Sequence, residues 1–106
     1  MDELRLFRVV VRGHFADLDE ACRDRLLAEV DEHDLFDARF TPDGWWVYDR
    51  ALVAFNFRFE ARGRGPDAAS QAQGEAEVMA RLVLEERGVP HKHLRSSVVD
   101  MGEMWS

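Results

Sequence analysis

The sequence predicts an α+β domain, a ferredoxin-like βαββαβ sandwich in which a four-stranded antiparallel sheet carries two helices on one face. Three observations predict it. The stretch Leu52 to Arg62 alternates large apolar and polar side chains with a period of two. Two segments, near residues 17–33 and 67–87, repeat apolar or small residues at helical spacing. The resulting order along the chain is strand, helix, strand, strand, helix, strand.

Each element has its own signal. Arg5 to Arg12 reads as the first strand, with Phe7, Val9 and Val11 on one side and Arg8, Val10 and Arg12 on the other. Gly13 ends it. Asp17 is the expected N-cap of a helix running to about His33, with Glu20 completing a capping box. Cys22, Leu26 and Val30 make the buried stripe of that helix. Leu35 to Thr41 reads as a short extended segment. Thr41-Pro42-Asp43-Gly44 is a turn with proline second and glycine fourth. Trp45 to Tyr48 then resumes as a strand, and Asp49-Arg50 turns the chain again. In the next strand Val53, Phe55, Phe57 and Phe59 form the core face, opposite Ala54, Asn56, Arg58 and Glu60. After the Gly63–Pro66 loop, a second helix from about Asp67 to Arg87 has the stripe Ala69, Ala72, Ala76, Met79, Ala80 and Val83. Gly88 and Pro90 stop it. His91 to Val99 is the last strand, and Asp100 to Ser106 is a tail.

Right-handed crossovers place both helices on the phenylalanine face. The opposite, open face then carries Leu6, Arg8, Val10, Arg12, Asn56, Arg58 and Glu60, with one of Trp45 and Trp46. Nothing in the sequence is predicted to cover it.

Composition narrows the function classes. A chain of 106 residues is expected to form a single domain over residues 1–106. It buries roughly two-thirds of its unfolded surface. With 46% hydrophobic residues, its core needs no metal or disulfide support. Cys22 is the only cysteine, Met1-Asp2-Glu3 lacks a basic leader, and no apolar run reaches the ~20 residues of a membrane span. A cytoplasmic protein without membrane contact is expected. The net charge of −7 disfavours nucleic acid as a partner. Lys92 is the sole lysine, an arginine bias that points to a high-GC genome.

The stretch LLAEVDEHDLFDARFTPDGWWVYDRALVAFNFRFE, with the opening strand FRVVVRG, resembles a small bacterial family of unknown function. That resemblance implies a compact domain and carries no activity or catalytic residues with it. At the level of topology the pattern is similar to the dimeric α+β barrel proteins, which include cofactor-independent monooxygenases and polyketide cyclases. Acylphosphatases share the size and element order, but their glycine-rich phosphate loop is absent from GHFADLDEACR.

Few residues carry chemistry on their own. His91 and His93 have the spacing of metal ligands on a strand, but a zinc site needs further ligands and none is evident, so no metal is expected. His33 at a helix C-terminus reads as a cap that favours the helix dipole, with acid–base use as the alternative. Cys22 on a buried stripe reads as an inert small hydrophobe. The sequence contains no dinucleotide, P-loop, flavin or hydrolase signature, so no cofactor is expected.

The open face is the most informative feature. Arg8, Arg12, Tyr48, Asn56 and Arg58, with His93, are the candidate residues for an anionic or aromatic small molecule. Leu6, Val10, Met101, Met104 and Trp105 are the candidates for a homodimer interface. Two functions follow. One is a small-molecule-binding or cofactor-independent biosynthetic protein of the dimeric α+β barrel type. The other is a non-catalytic dimeric interaction module.

Overall fold

The computed structural model describes residues 3–103. Six elements run in the order β1 (Arg5–Phe15), α1 (Glu20–Ala28), β2 (Trp45–Tyr48), β3 (Ala54–Gly63), α2 (Ala68–Glu86) and β4 (His91–Glu103). The strands form one open antiparallel sheet in the order β2-β3-β1-β4, so the architecture is α+β.

The period-two pattern fixes the core. Phe7, Val9, Val11 and Phe15 of β1 and Phe55, Phe57 and Phe59 of β3 are buried together. Cys22, Leu26 and Val30 enter the same cluster from α1 and the turn behind it, and Ala72, Ala76, Ala80 and Leu84 enter it from α2. The small alanines bring α2 close to the sheet, and each buried phenylalanine removes a large apolar surface from water. In β2, Trp46 pairs with Phe57 and stacks on its ring at a centroid distance of 5.5 Å. Trp46 is therefore the core tryptophan, while Trp45 pairs with Arg58 and belongs to the open face.

Several boundaries differ from the sequence expectation. The cap of α1 is Asp19, whose carboxylate accepts from the Cys22 N–H at 2.8 Å. Asp17 instead sits in the left-handed region (φ 46°) and turns the chain out of β1. α1 stops at Ala28, and a 3-10 turn from Val30 to His33 continues its buried stripe. Leu35–Asp37 is another 3-10 turn rather than extended chain, because the Asp34 carboxylate captures the Phe36 N–H at 2.9 Å. The stripe of α2 is rotated from the expected one. Ala68 and Leu84 are buried, Ala69 and Val83 pack at its edge, and Met79 is exposed.

Val53 is the clearest reversal. It is 60% exposed, and Leu52 takes its place in the core at 4%. The Asp49–Leu52 turn leaves Leu52 at φ 53°, which resets the alternation just before β3 begins. β4 runs beyond Val99 to Glu103, so Met101 lies in a strand rather than a tail. Met104 and Trp105, two of the expected interface residues, lie outside the described residues.

The open face is not bare. The chain between α1 and β2 sets side chains against this face. Phe40 lies beneath two guanidinium groups, Arg8 at 4.7 Å and Arg58 at 5.6 Å from its ring centroid. Thr41 bridges to Phe59, and its carbonyl accepts the Glu60 N–H at 2.8 Å. Gly44 closes the turn at φ 89°, where a Cβ would stand 2.4 Å from the Phe59 ring. Only glycine fits that position. Val47 points to the open face beside Asn56 and is nonetheless 5% exposed.

Candidate functional site

The segment from Val30 to Phe36 arches over one end of the open face and leaves a cleft of about 550 Å³. That volume lies in the range of small-molecule sites. Its floor is built by the sheet. Val47, Asn56, Arg12 and Arg95 form one rung across all four strands, as Cα partners in the order β2, β3, β1, β4. His14 and Ala54 extend the floor, and Leu35 and Phe36 form the far wall with Asp34. Phe36 is 94% exposed, a large aromatic side chain held in water by a turn.

Two local devices shape this floor. Gly13 sits inside β1 because a Cβ there would come within 2.6 Å of the Phe55 ring and 2.9 Å of Leu94. The glycine admits Phe55 and lets β1 continue to His14. On β4, His93 is a bulge residue at φ 59°, placed between the Arg12–Arg95 and His14–Lys92 pairs. The bulge shifts Arg95 into the rung and brings the His93 ring edge-on to His14 at 5.8 Å.

Charge is segregated in the cleft. Arg12 and Arg95 line the floor, where Arg12 Nη1 donates to Ser97 Oγ at 3.0 Å. On the loop side, Asp34 caps the Phe36 N–H, and Asp49 accepts from the Ala51 N–H at 3.0 Å. Asp31 faces Arg50 at 3.7 Å. Asn56 Oδ1 is buried and accepts no hydrogen bond from the described residues. An unmatched buried acceptor costs on the order of 1–3 kcal/mol.

Of the residues singled out from sequence, Arg12, Tyr48 and Asn56 border this one cleft. Arg8 and Arg58 lie on the same sheet face but grip Phe40. His93 stands beside the cleft through its contact with His14. Tyr48 turns its ring to the core, and its hydroxyl donates to the Leu26 carbonyl at 2.6 Å. Burial, with the Glu29 carboxylate nearby, pushes its ionisation up to about 12. Its hydroxyl is thus committed to the fold. Leu6 and Val10 are half-buried on the open face, and Met101 and Val99 are exposed.

Sequence reasoning missed His14, Arg95, Leu35 and Phe36. Gly13 read as the end of β1, although a glycine inside a strand also signals close approach, as it does here. Arg95 was hidden by the bulge at His93, and the loop wall has no periodicity to read.

His33 and His91 have structural partners. His33 lies over Tyr48 with centroids 4.8 Å apart, and its Nδ1 is 3.0 Å from the Trp46 carbonyl. A carbonyl can only accept, so Nδ1 carries the proton and pins the turn after α1 to β2. His91 Nδ1 makes the same kind of bond to the Val89 carbonyl at 3.1 Å. Among the described residues no group of three or more His, Cys, Asp or Glu is placed to hold a metal ion. No helix among them is long and apolar enough to cross a membrane.

Comparison with curated proteins finds no match, and neither does comparison with solved structures. A family model does match, over residues 1–106, and its description is "Family of unknown function" (DUF6204). The chain, with its four-stranded antiparallel sheet and arched cleft, belongs to the DUF6204 family.

Proposed function

We propose that the protein binds a small anionic or aromatic molecule in the cleft between the sheet floor and the Val30–Phe36 arch. The observation that carries this reading is the meeting of a basic rung, Arg12 and Arg95, with a buried unmatched acceptor, Asn56 Oδ1, in one cleft of about 550 Å³. Sites for small molecules join apolar walls to a few convergent polar groups, and Leu35, Phe36 and Val47 supply the apolar part.

The order β2-β3-β1-β4, read from the other edge as β4-β1-β3-β2, supports a ferredoxin-like sandwich. Through it, the topology supports the dimeric α+β barrel type. In a cofactor-independent biosynthetic enzyme of that type, His14 is the cleft group suited to moving a proton.

A fragment screen by protein-observed NMR tests the binding reading. Binders should shift the amides of Arg12, Asn56 and Phe36. Ala54→Trp, which places a large ring on the exposed cleft floor, should abolish those shifts without unfolding the protein. Shifts clustered elsewhere, or no binder at all, would overturn the reading.

A second reading is favoured by a separate observation. Leu6, Val10, Val99 and Met101 leave apolar side chains on the part of the open face that the arch does not reach. A homodimer formed there would make the chain an interaction module.

A further inference from the structure

Arg12 and Arg95 are direct Cα partners on neighbouring antiparallel strands, and both are exposed on the same face. Like charges in that position repel. Among the described residues each has a neutral partner: Arg12 donates to Ser97 Oγ, and Arg95 Nη1 reaches the His93 carbonyl at 3.4 Å. Neither forms an ion pair with a carboxylate among the described residues. In a chain with 21 acidic residues and a net charge of −7, acidic partners were plentiful. The repulsion is relieved by an anion that both guanidinium groups can clamp.

We propose that the cleft's ligand is a small aromatic monocarboxylate bearing a hydrogen-bond donor on the ring side away from the carboxylate. This rests on the cleft being a ligand site at all. The carboxylate lies over Arg12 and Arg95. The donor meets the side-chain amide of Asn56, a residue of the cleft floor whose Oδ1 is buried without a partner among the described residues. Asn56 is the next residue along the same rung, and neighbouring strands lie about 4.8 Å apart. Charge and donor are therefore separated by one to two strand spacings, about 5–10 Å, which a substituted six-membered ring spans. The ring is covered by Leu35 and Phe36, whose exposed surfaces are removed from water when it binds. The loop side of the cleft carries Asp34 and Asp49, while its Arg50 is paired with Asp31, so a second anionic group on the ligand would be repelled. That is why one carboxylate is specified and not two.

The test titrates ¹⁵N-labelled full-length protein with four probes: 4-hydroxybenzoate, its neutral analogue 4-hydroxybenzamide, benzoate without the donor, and acetate without the ring. 4-Hydroxybenzoate should bind most tightly and move the amides of Arg12, Asn56, Arg95 and Phe36. The amide analogue should bind at least about tenfold more weakly, as loss of a charged hydrogen-bonding group predicts. Benzoate and acetate should each be weaker than 4-hydroxybenzoate. In Arg95→Gln, an exposed change that should leave the fold intact, the preference for the acid over the amide should collapse. Equal binding of acid and amide at the cleft would overturn the ligand class while leaving the cleft a binding site. So would cleft shifts from neutral fragments with none from the carboxylates. No cleft shift from any of these probes or fragments would overturn both readings.

Discussion

The hydroxyl of Tyr48 donates to the main-chain carbonyl of Leu26 across 2.6 Å, tying β2 to the last turn of α1. Leu26 is itself in the core, and its carbonyl also accepts the Glu29 N–H at 3.3 Å. Tyr48→Phe therefore removes one bond without orphaning the acceptor, and should cost about 1 kcal/mol in chemical denaturation. The pH dependence has a definite sign. The phenol ionises at 10.0 ordinarily and at about 12 in the fold, because burial disfavours the phenolate. Above pH 10 the unfolded chain releases this proton while the folded chain keeps it, so stability falls as pH rises toward 12. Tyr48→Phe should lack that component, and its stability gap to wild type should narrow over the same window.

Phe57 stands at the centre of the sheet, among the largest fully buried side chains. Phe57→Ala should cost about 3–5 kcal/mol, the usual range for deleting a buried phenylalanine. Glu60, on the other face of β3, forms a long ion pair with Arg62 at 3.7 Å. Glu60→Ala should cost about 0.5 kcal/mol or less. Urea unfolding of the two variants side by side decides the matter, and equal losses would mean that the two faces of β3 are reversed.

That face assignment was legible in the sequence because Phe55, Phe57 and Phe59 alternate without interruption. Val53 was not, because the left-handed turn at Leu52 shifts the register by one residue, and no pattern of apolarity encodes a backbone dihedral. The cleft shows the same division. Arg12 and Asn56 could be placed on the open face by period two alone. The wall facing them is made by Leu35 and Phe36, held by a side-chain cap from Asp34, and a 3-10 turn leaves no repeat to detect. The arch also explains why the open face is partly covered, since Phe40 packs under Arg8 and Arg58 from a segment that reads as a simple extended connection.

Two glycines make a paired prediction with opposite signs. Gly44 combines φ 89° with the Phe59 ring 2.4 Å from where a Cβ would be. Gly44→Ala should destabilise by about 1–3 kcal/mol from backbone strain, and by more from the ring displacement. Gly74 lies inside α2 with nothing within 4 Å of its Cβ position. Gly74→Ala should stabilise by about 0.5–1 kcal/mol. Thermal melts of both variants read the difference directly.

Asp100 accepts from Arg5 Nε at 2.8 Å and from the Gly102 N–H at 2.8 Å. The Arg5 hydrogen bond, then the backbone bond, hold its carboxyl below the ordinary 3.8. A depressed value stabilises the fold above the unfolded midpoint, and this contribution fades as the pH falls through the folded one. Carboxyl ¹³C titration should place Asp100 below 3.8 in wild type and move it upward in Arg5→Gln. An unchanged midpoint would show that Arg5 does not hold the carboxylate in solution.

The last prediction concerns association. The arch covers the Arg12–His14 end of the open face, but Leu6, Val10, Val99 and Met101 lie toward its other end. β4 is an edge strand of thirteen residues, His91–Glu103. The bulge at His93, and Gly102 at φ 98°, interrupt its regular edge near both ends, which discourages simple strand-to-strand growth. Face-to-face pairing of two sheets is the mode that remains for covering these side chains. It would place arginines near a two-fold axis. Arg8 and Arg58 are already held against Phe40, and Asp100 is held by Arg5, so rearrangement of charge on pairing is limited. Sedimentation equilibrium at micromolar concentration should give twice the chain mass, and Val10→Asp should return it to one. If Val10→Asp also leaves cleft binding of a fragment unchanged, association and ligand binding are separate properties of the open face. A wild-type protein that remains monomeric at high concentration would overturn the dimer and leave the Val10–Val99 strip exposed to solvent.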